Sequence, residues 1–248
     1  MLSEYGFVEE TDGEMLDSTR TVRLVTVDKL PIYVEPGDVP SDSSSIIFAS
    51  KHVSGTNTPA LTVHTTGNLT KTAEFGGKPE EVSFVDPARM QIAIQKLRKA
   101  VSEETIEIDL TLEATHHGPT SFPVPVCFVE IGSGTKEWTD PRLGKVAAAA
   151  IMEAAKTADR AGVKAVGFGG THYSPKFTRL SIEGAYQIGH IVPRHALETG
   201  IPEPVLRDTL RKTIGPPKAL IDWKGLRGED RRKLVARLES WGYEIERC

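Results

Sequence analysis

The chain has 248 residues, 39% hydrophobic and 26% charged, with a formal net charge of −4 and a pI near 6.0, enough for one sizeable globular unit or a core with a smaller subdomain. No apolar run approaches the roughly 20 residues that cross a bilayer, the acidic start MLSEYGFVEETDGE lacks the basic-then-apolar order of a secretory signal, and the overall charge gives no global reason for a polyanionic partner. A cytoplasmic protein with no membrane contact is therefore expected, and Cys127 and Cys248 are spaced for neither a disulfide framework nor a thiolate zinc site.

In chain order, LSEYGFVEE reads as a helix end breaking at Gly6, and the β-branched run Thr21 to Val27 as a strand. A short strand is expected at Ile32 to Val34. The Pro, Gly, Asp and Ser of EPGDVPSDSSS then mark a boundary, dividing a small N-terminal subdomain, 1–44, from a main α/β domain, 45–248. Ser45 to Ser50 and Ala60 to Val63 read as buried strands that stop at Lys51 and His52 and at His64. Asp86 followed by Pro87 signals a helix start, with an amphipathic stretch to about Ala100. Ile106 to Leu112 alternates clearly as a strand, and Val124 to Ile131 is the next apolar run. Asp140-Pro141 opens an alanine-rich helix expected to stop at Gly162. Lys164 to Phe168 is a strand emptying into Gly169, Gly170, Thr171 and His172. Region 178–206 reads as mixed turn and helix, followed by a helix at Val205 to Ile214, a strand at Ala219 to Ile221, a helix at Glu229 to Trp241 and a last strand at Tyr243 to Ile245. Strands alternating with long helices indicate a sheet with helices on its faces.

Polar residues at strand ends are the functional candidates, because ligands of open α/β sheets sit there. His52, His64, His116, His117 and His172 all follow apolar runs, and Glu113 and Glu130 bracket the adjacent histidine pair. Imidazole suits both acid–base work near neutral pH and zinc binding. Consecutive side chains on an extended strand point to opposite faces, so His116 and His117 share one ion only if the backbone turns, as Gly118 and Pro119 allow. Gly169 and Gly170 offer either a close backbone approach to a ligand or a tight turn. Lys51 and Lys176 are cations near those loops. No GxSxG elbow and no activated cysteine is evident, which leaves water as the nucleophile. From Arg207 to Arg237, ten Lys/Arg against four Asp/Glu give +6, leaving −10 elsewhere in a chain of −4. Such a segment either contacts phosphates or is a solvated helix face.

The strings IIFASKHVSGTNTPALTVHTTGN, LEATHHGPTSFPVPVCFVEIGS, GKVAAAAI and VGFGGTHYSPKFT resemble the D-aminoacyl-tRNA deacylase family of archaea and plants over roughly residues 22–246. The resemblance implies a phosphorylase/hydrolase-like three-layer α/β/α fold with a mixed, largely parallel sheet, and hydrolysis of the ester joining a D-amino acid to tRNA. It also implies zinc as cofactor. Against the family pattern the chain begins at or inside the first helix, so the N-terminal α/β subdomain is expected to be shortened. The expected catalytic groups are His116, His117, Glu113 and Glu130, with His116, His117 and His172 as metal ligands. Lys51, His52, His64, Gly169, Gly170, Thr171, His172 and Lys176 are expected to bind substrate, and Arg231, Arg232 and Lys233 to contact tRNA phosphates. The protein is expected to work as a monomer on D-aminoacyl-tRNA. A zinc-dependent peptidase or amidase, or a non-catalytic tRNA-binding module, are the rival readings.

Overall fold

The structure is a computed structural model and describes residues 2–11, 13–55, 57–157 and 160–248. It opens with a 3-10 turn, Leu2–Tyr5, ended by Gly6 at φ 74°. A three-stranded antiparallel meander follows, β1 (Val8–Thr11), β2 (Glu14–Leu16) and β3 (Arg23–Val25). The strand expected at Ile32 to Val34 is replaced by a 3-10 helix, Pro31–Tyr33. Pro31 at its first position supplies a helical φ at no cost, and the Val34 N–H closes back onto Pro31 O.

The main body runs β4 (Ile46–Lys51), β5 (Ala60–His64), the small hairpin β6 (Gly67–Asn68) with β7 (Glu81–Val82), α1 (Pro87–Glu103), β8 (Asp109–Leu112) and β9 (Val126–Gly132). It continues with α2 (Thr135–Trp138), α3 (Pro141–Lys156), β10 (Lys164–Phe168), α4 (Pro175–Ile182) and β11 (Gln187–Val192). The chain then forms α5 (Arg194–Thr199), α6 (Glu203–Arg211), β12 (Lys218–Ile221), α7 (Gly228–Ser240) and β13 (Ile245–Arg247). Both Asp-Pro signals cap their helices: Asp86 accepts from the Ala88 N–H and Asp140 from the Arg142 N–H. The alanine-rich helix ends at Lys156, short of Gly162; residues 158 and 159 of that expected stretch lie outside the described residues.

Two four-stranded sheets, ordered β4-β9-β5-β8 and β11-β10-β12-β13, carry the fold. Within them only β5 with β9 is antiparallel, so the sheet is mixed and largely parallel. The Thr115 N–H donates to Ile191 O at 2.9 Å and the Ile191 N–H to Thr115 Oγ1 at 3.1 Å, stitching the two sheets together. Strand alternation divides the core into layers. Leu61, Val63, Val129, Ala165, Ile188 and Leu220 pack against α1 and α3, while Val166, Phe168, Ala219 and Ile221 face α6 and α7 on the other side. This is a three-layer α/β/α arrangement, with each fully buried Leu, Ile or Phe contributing roughly 1.5–3 kcal/mol. Below the first sheet, Phe48, Val126 and Phe128 are covered by Val27, Val34 and Val39 of the N-terminal segment and by Phe122.

Region 178–206, expected as turn and helix, contains strand β11, whose six residues are all buried. Ile188 and Ile191 face one layer and Val192 the other, so the run shows neither alternation nor helical period. Strand β8 is shorter than expected, yet Ile106, Ile108 and Leu110 still pack on the side where the alternation placed them. Among the described residues no helix is long and apolar enough to cross a membrane.

Candidate functional site

The same alternation that buries Val63 and Val129 turns their neighbours to the opposite face. Glu130 on β9 stands opposite Ser50 on β4 and Thr62 on β5, and two residues on from those partners come His52 and His64. Glu113 extends β8 by one residue, its N–H donating to Val63 O at 3.1 Å. His64 lies over the stacked ring of Phe128, 5.1 Å between centroids. The chain after β10 runs antiparallel to the chain after β8, pairing Tyr173 with Glu113 and setting His172 Nε2 3.1 Å from Glu113 Oε1. His117 adopts φ 41°, a left-handed turn that lets both members of the pair reach one side. His64 is 4.2 Å from His116 and 4.8 Å from His117 between ring centroids. All five strand-end histidines and both glutamates therefore meet in or beneath a single cavity of about 700 Å³.

Hydrogen bonding fixes the tautomers of three rings. His64 Nδ1 faces Thr65 O at 3.2 Å, His116 Nδ1 faces Ala114 O at 2.7 Å, and His117 Nδ1 faces Gly118 O at 2.6 Å. A carbonyl only accepts, so each Nδ1 carries a hydrogen, and in the neutral ring, the form that binds a metal, Nε2 holds the lone pair. Backbone anchoring of one ring nitrogen is how metal-ligating histidines are oriented. His64 Nε2 and Glu113 Oε2 are buried with no hydrogen-bond partner, a costly state for a fully enclosed polar atom. They lie 4.0 Å apart, with Glu130 Oε2 3.6 Å from His64 Nε2. Ligand atoms of His64, His116 and His117 all fall within 4.8 Å of one another, as do those of Glu113, His116 and His172 and those of His52, Glu113 and Glu130. Clustered imidazoles and carboxylates that include two buried, unpartnered ligand atoms fit a transition metal.

Electrostatics sort the cluster further. Glu113 and Glu130 are 1% and 4% exposed; burial opposes their ionisation, but His172, His64 and His52 outweigh it and hold both below the usual carboxylate range, Glu130 well below. Burial likewise works against charging His52 and His64, yet Glu130 and Glu113 raise both above the ordinary imidazole value. His116 moves the other way, pushed well down by burial and by the neighbouring rings of His64, His117 and His172. Burial and His64 bring His117 down to about 4. Two carboxylates are thus balanced by two imidazoles that favour charge, while the adjacent pair stays neutral at pH 7.

The other expected site residues scatter. Lys51 lines the cavity mouth above the Trp138 ring, 5.2 Å from its centroid. Gly169 and Gly170, at φ 105° and 76°, form a turn packed against Asp222 and Leu226, and the Thr171 hydroxyl donates to Tyr173 O. Lys176 is engaged by the Asp222 carboxylate and by Cys248 O, 3.1 Å away. Arg231 donates to Trp223 O at 2.7 Å and stacks on that indole, Lys233 pairs with Glu229 at 2.6 Å, and Arg232 is exposed. Tyr173 was missed as a site residue: its hydroxyl lies 2.8 Å from His52 Nε2, and its only signal was adjacency to His172. Phe75 and Ile32, also in the cavity wall, carry no sequence signal of function at all.

Comparison with known proteins adds to this geometry. Residues 39–246 match the family model described as D-aminoacyl-tRNA deacylase. The D-aminoacyl-tRNA deacylase of Methanocaldococcus jannaschii is 38% identical, over 99% of this chain and 92% of its own length; that of Pyrococcus furiosus is 34% identical with the same coverage. The crystal structure of a conserved protein of unknown function superposes with a TM-score of 0.88 at 27% identity, covering 99% of this chain and 88% of that one.

Proposed function

The chain belongs to the D-aminoacyl-tRNA deacylase family, an ester hydrolase acting on D-aminoacyl-tRNA, and on that premise we propose that the His/Glu cavity is where water cleaves the ester. The observation that carries the reading is the convergence of His172, held by the buried Glu113, with three imidazoles whose Nε2 lone pairs are left over.

An aminoacyl ester is already activated, so the site must position water, remove its proton and stabilise the tetrahedral oxyanion. His172 is the base in this reading. It is half-buried, and its Nε2 is engaged by Glu113 Oε1 at 3.1 Å, leaving the other ring nitrogen to take the proton. Glu113 fixes that ring and stabilises the imidazolium that forms. His64, His116 and His117 would hold zinc, with Glu130 beside them. Zinc held by these residues would supply Lewis-acid polarisation of the ester carbonyl and a lowered pKa for water. This assignment moves His172 from ligand to base and adds His64 to the ligands. Exposed Arg232 and Lys233 of the basic C-terminal segment supply phosphate contacts, whereas Arg231 is occupied with Trp223 O and Leu226 O. The enzyme works as a cytoplasmic monomer.

Parallel deacylation of D- and L-aminoacyl-tRNA by the purified protein, with elemental analysis of the same sample, tests the reading. D-selective release and zinc in the sample are expected. Peptide cleavage without ester hydrolysis, or salt-sensitive tRNA binding without any hydrolysis, would overturn it.

A further inference from the structure

A single exposed apolar side chain is ordinary, but several lining one cavity mark a surface for a ligand. Phe75 is 63% exposed and Val53 72%, and both stand in the wall of the catalytic cavity together with Lys51. The main chain beneath Phe75 is nonetheless locked. The Gly118 N–H, next to His117, donates to Phe75 O at 3.0 Å. A Cβ on Gly76 would lie 2.0 Å from Ile32 O, and one on Gly118 would lie 2.2 Å from Gly77 N. Three loops are therefore packed backbone against backbone, and only glycine permits it. The ring they present is exposed by construction, one residue away from this clamp. Opposite it in chemistry is Lys51, which has no carboxylate within 4.0 Å among the described residues.

We propose that Phe75 and Lys51 form a nucleotide subsite at the cavity mouth, Phe75 stacking on the terminal adenine of the tRNA and Lys51 pairing with the phosphate on its 5′ side. The proposal rests on the functional reading above. The scissile ester is attached to the ribose of the terminal adenosine, so a carbonyl held among the histidines leaves the base and its phosphate tethered within a ribose's reach of it. A flat aromatic face and a cation are the groups that recognise an unpaired nucleotide, and both line the cavity that holds the histidines. Val53 and Ile32 add apolar surface to the lining of the same cavity.

Binding of a fluorescein-labelled CCA trinucleotide, followed by anisotropy, reads this subsite without requiring catalysis. Phe75→Ala should weaken the trinucleotide about 5- to 150-fold, the range for loss of one base stack, and Phe75→Trp should restore it. The same loss should appear in KM for D-aminoacyl-tRNA rather than in kcat. Lys51→Ala should flatten the salt dependence of trinucleotide binding. Unchanged trinucleotide affinity in Phe75→Ala overturns the proposal, and if KM rises all the same, the ring holds the aminoacyl side chain instead. Wild-type protein that binds the trinucleotide but hydrolyses no D-aminoacyl-tRNA would leave the subsite standing and remove the catalytic reading.

Discussion

His64 and His190 are both fully buried histidines on strands, and they differ in one nitrogen. His190 spends both, Nδ1 3.1 Å from Thr115 Oγ1 and Nε2 3.0 Å from Ser83 O; burial drives its pKa down to about 3, so it is a neutral bridge between strands. His64 spends Nδ1 on Thr65 O and leaves Nε2 unpartnered, facing two carboxylates. Burial is therefore no guide to which imidazole is functional here. The unsatisfied nitrogen is the better guide, because an enclosed orphan facing two carboxylates is costly and a bound cation would relieve it.

The largest effect should come from replacing both His116 and His117 by alanine, which removes two of the three proposed, backbone-anchored ligands. Zinc retention and deacylation should both be lost while circular dichroism still reports a folded chain; full activity with no bound metal would contradict the ligand assignment. Glu113→Gln should come next. It keeps the shape but removes the charge that orients His172, and a fall in kcat of about 10²- to 10⁴-fold is expected for a disabled base, with metal content preserved. Steady-state kinetics against metal analysis separates these two variants.

On the other side of the comparison, His190→Ala should cost roughly 2–4 kcal/mol of stability in urea melts, since it opens a buried hole and strands the Thr115 and Ser83 groups. Its pH signature has a definite sign. A folded pKa of about 3 against roughly 6.5 unfolded means that the unfolded chain binds more protons in between. Stability should fall as pH drops from about 6.5 toward 3, by up to roughly 1.4 kcal/mol per pH unit from this one group, and His190→Gln should flatten that slope in urea melts taken across the range. The smallest effect belongs to the C-terminal helix. Charge reversal at Arg232 and Lys233 should weaken tRNA binding severalfold at low salt and hardly at high salt, whereas Arg231→Ala should lower the melting temperature by removing a cap on Trp223 O and Leu226 O.

Much of this division was legible in the sequence because strand ends carry ligands and alternation chooses the face. The runs ending at Lys51, His64, Leu112 and Phe168 were readable from β-branched and apolar residues, and the Asp-Pro pairs from their capping chemistry. Strand β11 was not, since burial on both faces erases the period-two signal. Nor were the partners: that Glu130 faces Thr62 and Ser50 is a matter of register between strands far apart in sequence. The turn at His117 that unites the pair was visible only as a possibility in Gly118-Pro119. The fate of Lys176, drawn to Asp222, and of Gly169-Gly170, used as a turn, depended on tertiary neighbours that local spacing does not encode.

Single-turnover hydrolysis of D-aminoacyl-tRNA by His64→Ala and His190→Ala, each normalised to its folded fraction, tests the distinction most directly. His190→Ala should hydrolyse at close to the wild-type rate per folded molecule while His64→Ala releases no D-amino acid. Equal rates in the two variants, or activity that survives loss of His64, would contradict the claim that the unpaired nitrogen marks the working site.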